Sequence, residues 1–235
     1  MSELFAIERR KLFEQVAAHL ERQILARILL PGDQLPAERD LQERFGVGRP
    51  AIREALIALQ KAGLVELTNG ARARVATPSA SNVMAGMMPS VLQMLASDEG
   101  QRHFQHVRMF FEAGLAREAA RIATEDDLAR LTEALAANHA AIGDTGRFIA
   151  TDIAFHFVLA QMTRNPVFAA LHDAMSAWLE EQRIVTLGAS GQDEIAFAAH
   201  ACIHGAIAAH DPDAAEAAMR AHLGQLEATF WERRG

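Results

Sequence analysis

The chain has a single cysteine, no long apolar run and no surplus of positive charge. Its 235 residues hold only Cys202, so no disulfide can close within the chain. That composition fits a reducing compartment and sets the expected location in the cytoplasm. No stretch approaches the roughly 18 uninterrupted apolar residues that would read as a membrane span, so no membrane partner is expected. The opening Met1-Ser2-Glu3-Leu4 is not a basic segment leading into an apolar one, so no signal peptide is expected. No internal repeat is visible either.

The net charge of −7, taken whole, argues against a nucleic-acid partner. Its distribution argues otherwise. Residues 1–76 carry a net +2 and the remainder −9. A mildly basic head on an acidic body is compatible with a DNA-binding domain attached to a domain with another task. Hydrophobic residues make up 50% of the chain and charged residues 23%, so there is enough apolar surface for two packed domains.

The first 76 residues read as three helices and a hairpin. Val16, Leu20, Ile24 and Ile28 repeat at helical spacing in a helix over 11–30 that Pro31-Gly32-Asp33 stops. A short helix over 37–45 has Pro36 at its entrance, and Gly46-Val47-Gly48 turns the chain into a third helix over 49–62. The pattern then changes to two short strands, 64–67 and 72–75, with the hairpin signal Asn69-Gly70 between them. Thr77-Pro78-Ser79-Ala80-Ser81 reads as a linker over 77–81, and residues 82–235 read as all helical, in segments near 82–96, 101–122, 124–141, 144–163, 166–186, 192–209 and 212–232. The expected fold is therefore mainly α: an N-terminal winged helix-turn-helix, then a helical bundle.

Two short helices joined by a tight glycine turn present the second one to the DNA major groove. Arg49 and Arg53 lie four residues apart, on a face away from Ile52, Leu56 and Leu59. A guanidinium fork matches guanine O6 and N7, or a phosphate. Arg39 can reach the backbone, while Asn69, Gly70 and Arg72 form a hairpin tip thin enough for a minor groove. Arg72 and Arg74 are expected on one hairpin face. Because paired half-sites need two recognition helices, a homodimer on double-stranded operator DNA is expected.

Ten histidines are present, seven of them at or after His139. Asp152 and His156 are four apart on one helix and point the same way. His200 and His222 lie on later helices, and spacing alone leaves His204 as an alternative to His200. An oxygen and three imidazoles suit one divalent metal ion per subunit with open positions, zinc first, with nickel, manganese and iron also open. Such a metal admits two other readings: a metal-dependent hydrolase, or a regulator that senses the metal itself. Against the hydrolase, no acidic residue is evident beside the ligands to act as general base.

The stretches Leu35-Pro36-Ala37-Glu38-Arg39-Asp40-Leu41, Phe45-Gly46-Val47-Gly48-Arg49-Pro50-Ala51-Ile52-Arg53-Glu54-Ala55-Leu56 and Gly63-Leu64-Val65 resemble the GntR family of bacterial regulators. The resemblance implies that Arg39, Arg49, Arg53 and Gly70 contact operator DNA. Downstream, Arg108-x-x-x-Glu112, Asp152-x-x-x-His156, His200-x-x-Ile203 and Ala221-His222-Leu223 resemble the FadR-type effector domain called FCD. That likeness implies metal ligands at Asp152, His156, His200 and His222, leaves His204 outside the set, and makes Arg108 a pocket arginine that meets a small acidic effector. A narrower likeness within the family, carried by Asn69-Gly70-x-Arg72-Ala73-Arg74-Val75 and His103-Phe104-x-x-x-Arg108-x-Phe110-Phe111-Glu112, implies a repressor responsive to sialic acid.

Overall fold

A computed structural model describes residues 11–68, 70–77 and 79–234. The chain divides into two compact units, Met1–Gly86 and Met87–Gly235. Among the described residues there are eleven helices and one two-stranded sheet.

The first unit holds α1 (Leu12–Leu25), α2 (Glu38–Phe45), α3 (Arg49–Lys61), β1 (Val65–Glu66) and β2 (Arg74–Val75). Its core joins Val16 and Leu20 of α1, Leu41 of α2, and Ile52, Leu56 and Leu59 of α3, all buried. Two details depart from the sequence reading. The first helix ends five residues early, because Arg27 takes a left-handed φ of 55° and the amides of Ile28 and Leu29 fold back onto Gln23 O. Neither glycine nor proline marks that stop. The second hairpin arm also pairs on its far side: the Leu35 amide bonds Ala73 O at 2.8 Å, and Val75 N bonds Asp33 O at 2.8 Å.

The hairpin register differs as well. Val65 pairs with Val75 and Glu66 with Arg74, while the turn closes with Ala71 N on Thr68 O at 3.0 Å. Three steps lead from Ala71 to Arg74 but two from Thr68 back to Glu66, so the second arm carries one extra residue, as a bulge does. Arg72 and Arg74 both remain exposed. Arg74, however, donates to Gly32 O at 2.9 Å and serves the fold.

Then follow α4 (Ala80–Leu95), α5 (Asp98–Ile122), α6 (Glu125–His139), α7 (Thr145–Met162), α8 (Pro166–Trp178), α9 (Glu180–Leu187), α10 (Gln192–Ala208) and α11 (Pro212–Arg234). Helix α4 begins inside the span read as a linker, and the division between the two units falls within it. Pro78 of that span lies outside the described residues. The long helix expected over 166–186 is two helices broken at Leu179, whose φ of −107° and ψ of 21° leave the helical region. The Leu179 side chain is buried, so burial rather than a glycine or proline sets this break. Gly100 is fixed by close packing: a Cβ there would stand 1.9 Å from Met94 O. Helix α11 lies along α5 and α10. Phe148, Phe155, Leu159, Ile203, Ile207 and Met219 fill the core between them.

One polar knot fixes the geometry of α6 and α7. Asp127 closes a capping box with Thr124 and accepts a hydrogen bond from Arg164 Nη2 at 2.6 Å. Arg164 itself adopts a left-handed φ of 55° at the end of α7. Burial pushes the Asp127 carboxyl up, but the Thr124 amide and hydroxyl and the two arginines Arg164 and Arg130 hold it below the usual carboxylate range. A depressed folded value stabilises the protein above the unfolded value near 4, and that stability fades as pH falls through the folded value. Asp127→Asn is expected to cost about 1–3 kcal/mol at pH 7. Urea unfolding should show the gap between parent and variant narrowing below about pH 4; a gap that stays constant down to pH 3 counts against this account.

Candidate metal site and nucleic-acid face

Helix α7 carries Asp152 and His156 one turn apart, α10 carries His200, and α11 carries His222. All four are buried, and one ligand atom from each lies within 4.8 Å of the others. His200 Nε2 stands 3.2 Å from His222 Nε2 and 3.4 Å from Asp152 Oδ1. Asp152 Oδ1 and His156 Nε2 make no hydrogen bond among the described residues. A carboxylate oxygen and an imidazole nitrogen left without partners, beside two imidazoles that face each other in a dry interior, are the arrangement a dication resolves. Atoms about 2.1 Å from a shared zinc stand about 3–4 Å apart, so the residues fit such an ion with small adjustment.

Burial pushes two of these imidazoles toward the neutral form that coordination needs: His200 is lowered to about 3, and His222 well below its usual value. Burial also pushes the Asp152 carboxyl up. The surrounding His156, Arg183, His200 and His222 outweigh it and hold Asp152 below the ordinary carboxylate range.

Around these four stands a second set of polar groups. Arg183 on α9 donates to Asp152 Oδ2 at 2.9 Å and fixes the carboxylate. Glu112 on α5 turns Oε2 to His156 Nδ1, while its Oε1 accepts from Arg108 Nε at 2.6 Å. Glu112 corrects the expectation that no acidic residue stands beside the candidate ligands. Both of its oxygens are engaged, and although burial pushes its carboxyl up, Arg108 and His156 hold it well below the usual range. It is a tether and not a free base. Asn138, at the end of α6, places Oδ1 2.9 Å from His200 Nδ1. His172 is also buried, with neither ring nitrogen hydrogen-bonded, and burial lowers it to about 4. His204 sits apart, with Nε2 2.8 Å from Thr132 Oγ1.

Arg108 lines a small cavity of about 20 Å³ with Gln105, Gln182, Arg183, Thr186 and Phe230. Its Nη2 and Gln182 Nε2 are buried without a hydrogen-bond partner. The sequence singled out Arg108 but missed Arg183, Glu112's role and Asn138. For Arg183 the signal would have been a cation one helical turn past a break that the sequence does not mark.

In the first unit, Arg39, Arg49 and Arg53 are exposed at the surface of α2 and α3. Arg49 and Arg53 both turn to Glu38, at 3.3 and 3.8 Å, while Arg39 stands 3.9 Å from Glu43. Exposed pairs of this kind contribute little stability, so the guanidinium groups remain available to another anion. Glu38 was not foreseen. Gly70 takes a φ of 76° in the turn, and Arg72 lines the groove between α3 and the hairpin with Arg53 and Gln60. Asn69 lies outside the described residues.

Residues 12–75 match the family described as "Bacterial regulatory proteins, gntR family", and residues 104–225 match the FCD domain. The chain belongs to the GntR family of bacterial regulatory proteins, with an FCD domain as its second part. It is a DNA-binding transcription regulator, not an enzyme. Among its relatives, the HTH-type transcriptional repressor NanR of Cronobacter sakazakii is 41% identical over 95% of this chain and 87% of its own length. NanR of Escherichia coli K12 is 39% identical over 95% of this chain and 86% of its own length. The fold is shared with Streptococcus agalactiae GntR, with a TM-score of 0.63 and 24% identity over 92% of this chain and 99% of that one. Escherichia coli McbR/YncC is similar too, with a TM-score of 0.54 and 18% identity over 96% and 99%. Among the described residues no helix is long and apolar enough to cross a membrane.

Breaking one partner of the buried Arg183–Asp152 pair leaves an uncompensated charge in the core. Arg183→Met is expected to lose about 3–5 kcal/mol of unfolding free energy in metal-free protein. Chemical denaturation of the two proteins side by side measures it, and equal stability would mean that Asp152 does not depend on Arg183.

Proposed function

We propose that the chain is a cytoplasmic repressor that binds operator DNA as a homodimer. Its operator affinity is set by a small acidic metabolite at a divalent metal centre formed by Asp152, His156, His200 and His222. Zinc is the first candidate ion. The observation that carries this reading is the charge balance of the buried site. The carboxylates of Asp152 and Glu112 face the guanidinium groups of Arg183 and Arg108, and burial favours the neutral form of His200 and His222. A dication held there leaves two positive charges unmatched, and an anionic ligand with oxygens to share is what such a centre attracts. The unpaired Arg108 Nη2 and Gln182 Nε2 offer donors to the same ligand. Sialic acid, implied by the narrower resemblance within the family, is the first acid to test.

The cavity of about 20 Å³ has room for about one water molecule, whereas sites for small metabolites run to several hundred Å³. Effector entry therefore requires the α9 or α11 wall to shift, and a ligand that binds only the shifted arrangement biases the equilibrium toward it. A coupling of about 1–3 kcal/mol would change DNA affinity roughly 5–150-fold. A regulator sensing only the metal would show no such change with acid at saturating metal.

On the DNA side, Arg39, Arg49, Arg53, Asn69, Gly70 and Arg72 are the proposed contacts. Arg53→Ala should weaken operator binding by about 1–3 kcal/mol if its fork meets a base, with a steep fall in affinity as salt rises. Unchanged affinity in a folded Arg53→Ala protein removes that assignment. On the metal side, elemental analysis after zinc loading should find the ion in parent and His204→Ala but not in His222→Ala; equal content in all three would sink the ligand set. Calorimetry of the zinc-loaded protein with sialic acid, a hexuronate and citrate then identifies the acid. Binding of another acid without sialic acid keeps the regulator and removes only that ligand.

A further inference from the structure

The three histidines of the candidate centre are not equally constrained, and the difference lies in what holds each ring's outer nitrogen. His156 Nδ1 faces Glu112 Oε2. His222 Nδ1 is buried with no hydrogen-bond partner. His200 Nδ1 lies 2.9 Å from an oxygen of a neutral amide, Asn138 Oδ1. An amide is ambiguous in a way a carboxylate is not: turned over, it presents N–H₂ in place of oxygen. Something must therefore decide which end of Asn138 meets His200.

Thr151 on α7 makes that decision. Its hydroxyl has one proton, and Oγ1 lies 3.0 Å from both Arg147 O and Phe148 O. Both are carbonyls and can only accept, so the proton is spent on them. Toward Asn138, 3.1 Å away, Oγ1 is left as an acceptor, and the amide must turn its Nδ2 to it. That leaves Oδ1 for His200. An oxygen there requires Nδ1–H on the ring, and a neutral ring protonated at Nδ1 carries its lone pair on Nε2. Nε2 is the nitrogen that faces His222 and Asp152. Asn138 and His200 are fully buried, so no water is at hand to satisfy the opposite arrangement. With the amide reversed, Nδ1 would have to accept, Nε2 would carry the proton, and the ring could not coordinate.

We propose that Asn138 is a positioning residue that selects the metal-binding tautomer of His200, and that Thr151 sets the direction of the Asn138 amide. The proposal rests on the metal centre described above. It extends the residues that control metal affinity to two positions on α6 and α7 that touch no ion.

The test uses full-length protein, zinc as the probe, a competing chelator for affinity, and nitrogen-15 shifts of the histidine rings in the zinc-free protein. The His200 signals are assigned by their loss in His200→Gln. In the parent, His200 should be protonated at Nδ1. In Asn138→Leu, which keeps the bulk and removes the acceptor, Nδ1 should lose that preference and zinc affinity should fall about 10–100-fold. Asn138→Asp, as the carboxylic acid, presents an accepting oxygen to His200 and a hydroxyl that donates to Thr151 Oγ1 as Nδ2 does, so it should keep the tautomer and hold zinc within a few-fold of the parent. Thr151→Val frees the amide to turn, and zinc affinity should fall with a mixture of His200 tautomers. If Asn138→Leu is unfolded by circular dichroism, Asn138→Asp and Thr151→Val carry the test. A Thr151→Val or Asn138→Leu protein with parental tautomer and parental zinc affinity overturns the proposal, provided His222→Ala has lost zinc. Retention of zinc by His222→Ala overturns the metal centre itself.

Discussion

The C-terminal bundle depends on keeping the Asp152 carboxylate charged in the middle of a hydrophobic core. Stripping water from a carboxylate costs several kcal/mol, and the side chain would protonate if nothing opposed that cost. Here Arg183 of α9 donates to the carboxylate and offsets that cost, while His200 of α10 and His222 of α11 converge on the same place, so side chains from three other helices meet α7 there. Arg183 brings its own desolvation cost, which Asp152 offsets. The second buried pair, Arg108 with Glu112 on α5, repeats the device one layer away. Two acids and two arginines leave the interior neutral, while the apolar side chains of Phe148, Phe155 and Ile203 exclude the water that would weaken each pair.

This arrangement explains which parts of the molecule could be read from the sequence. The recognition helix was legible because α3 obeys a simple period: Ile52, Leu56 and Leu59 point inward, and Arg49 and Arg53 fall on the other side. The candidate ligands were legible because Asp152 and His156 share a helix face, and the family likeness supplied His200 and His222 from further along the chain. The break at Leu179 was not legible. It arises from packing of a buried leucine, and no residue with special backbone freedom marks it. Arg183 was lost with it, since its direction depends on that break.

Other omissions have the same character. Glu38, Asn138 and Thr151 are ordinary residues whose importance comes from a neighbour 11 to 62 residues away, on another helix. The partner of Asn138 is His200, and no local pattern ties the two. The strand-like segment ending at Leu35 borrows its hydrogen bonds from Ala73 and Val75, so periodicity within the segment could not announce it. Glu38 sits in a motif quoted for its arginine, but only the folded structure shows it holding both Arg49 and Arg53.

The order of the candidate ligands along the chain bears on how the protein is made. Asp152 and His156 lie on α7, whereas His222 lies on α11, 70 residues beyond Asp152. Translation at 5–20 residues per second puts roughly 4–14 s between the two ends of the centre. The winged unit is complete and clear of the ribosome well before α11 emerges. Each new molecule therefore passes through an interval in which the first unit is complete and the second is not. A message cut short within the α11 coding region makes that interval permanent, because the helix that carries His222 and lies along α5 and α10 is never made.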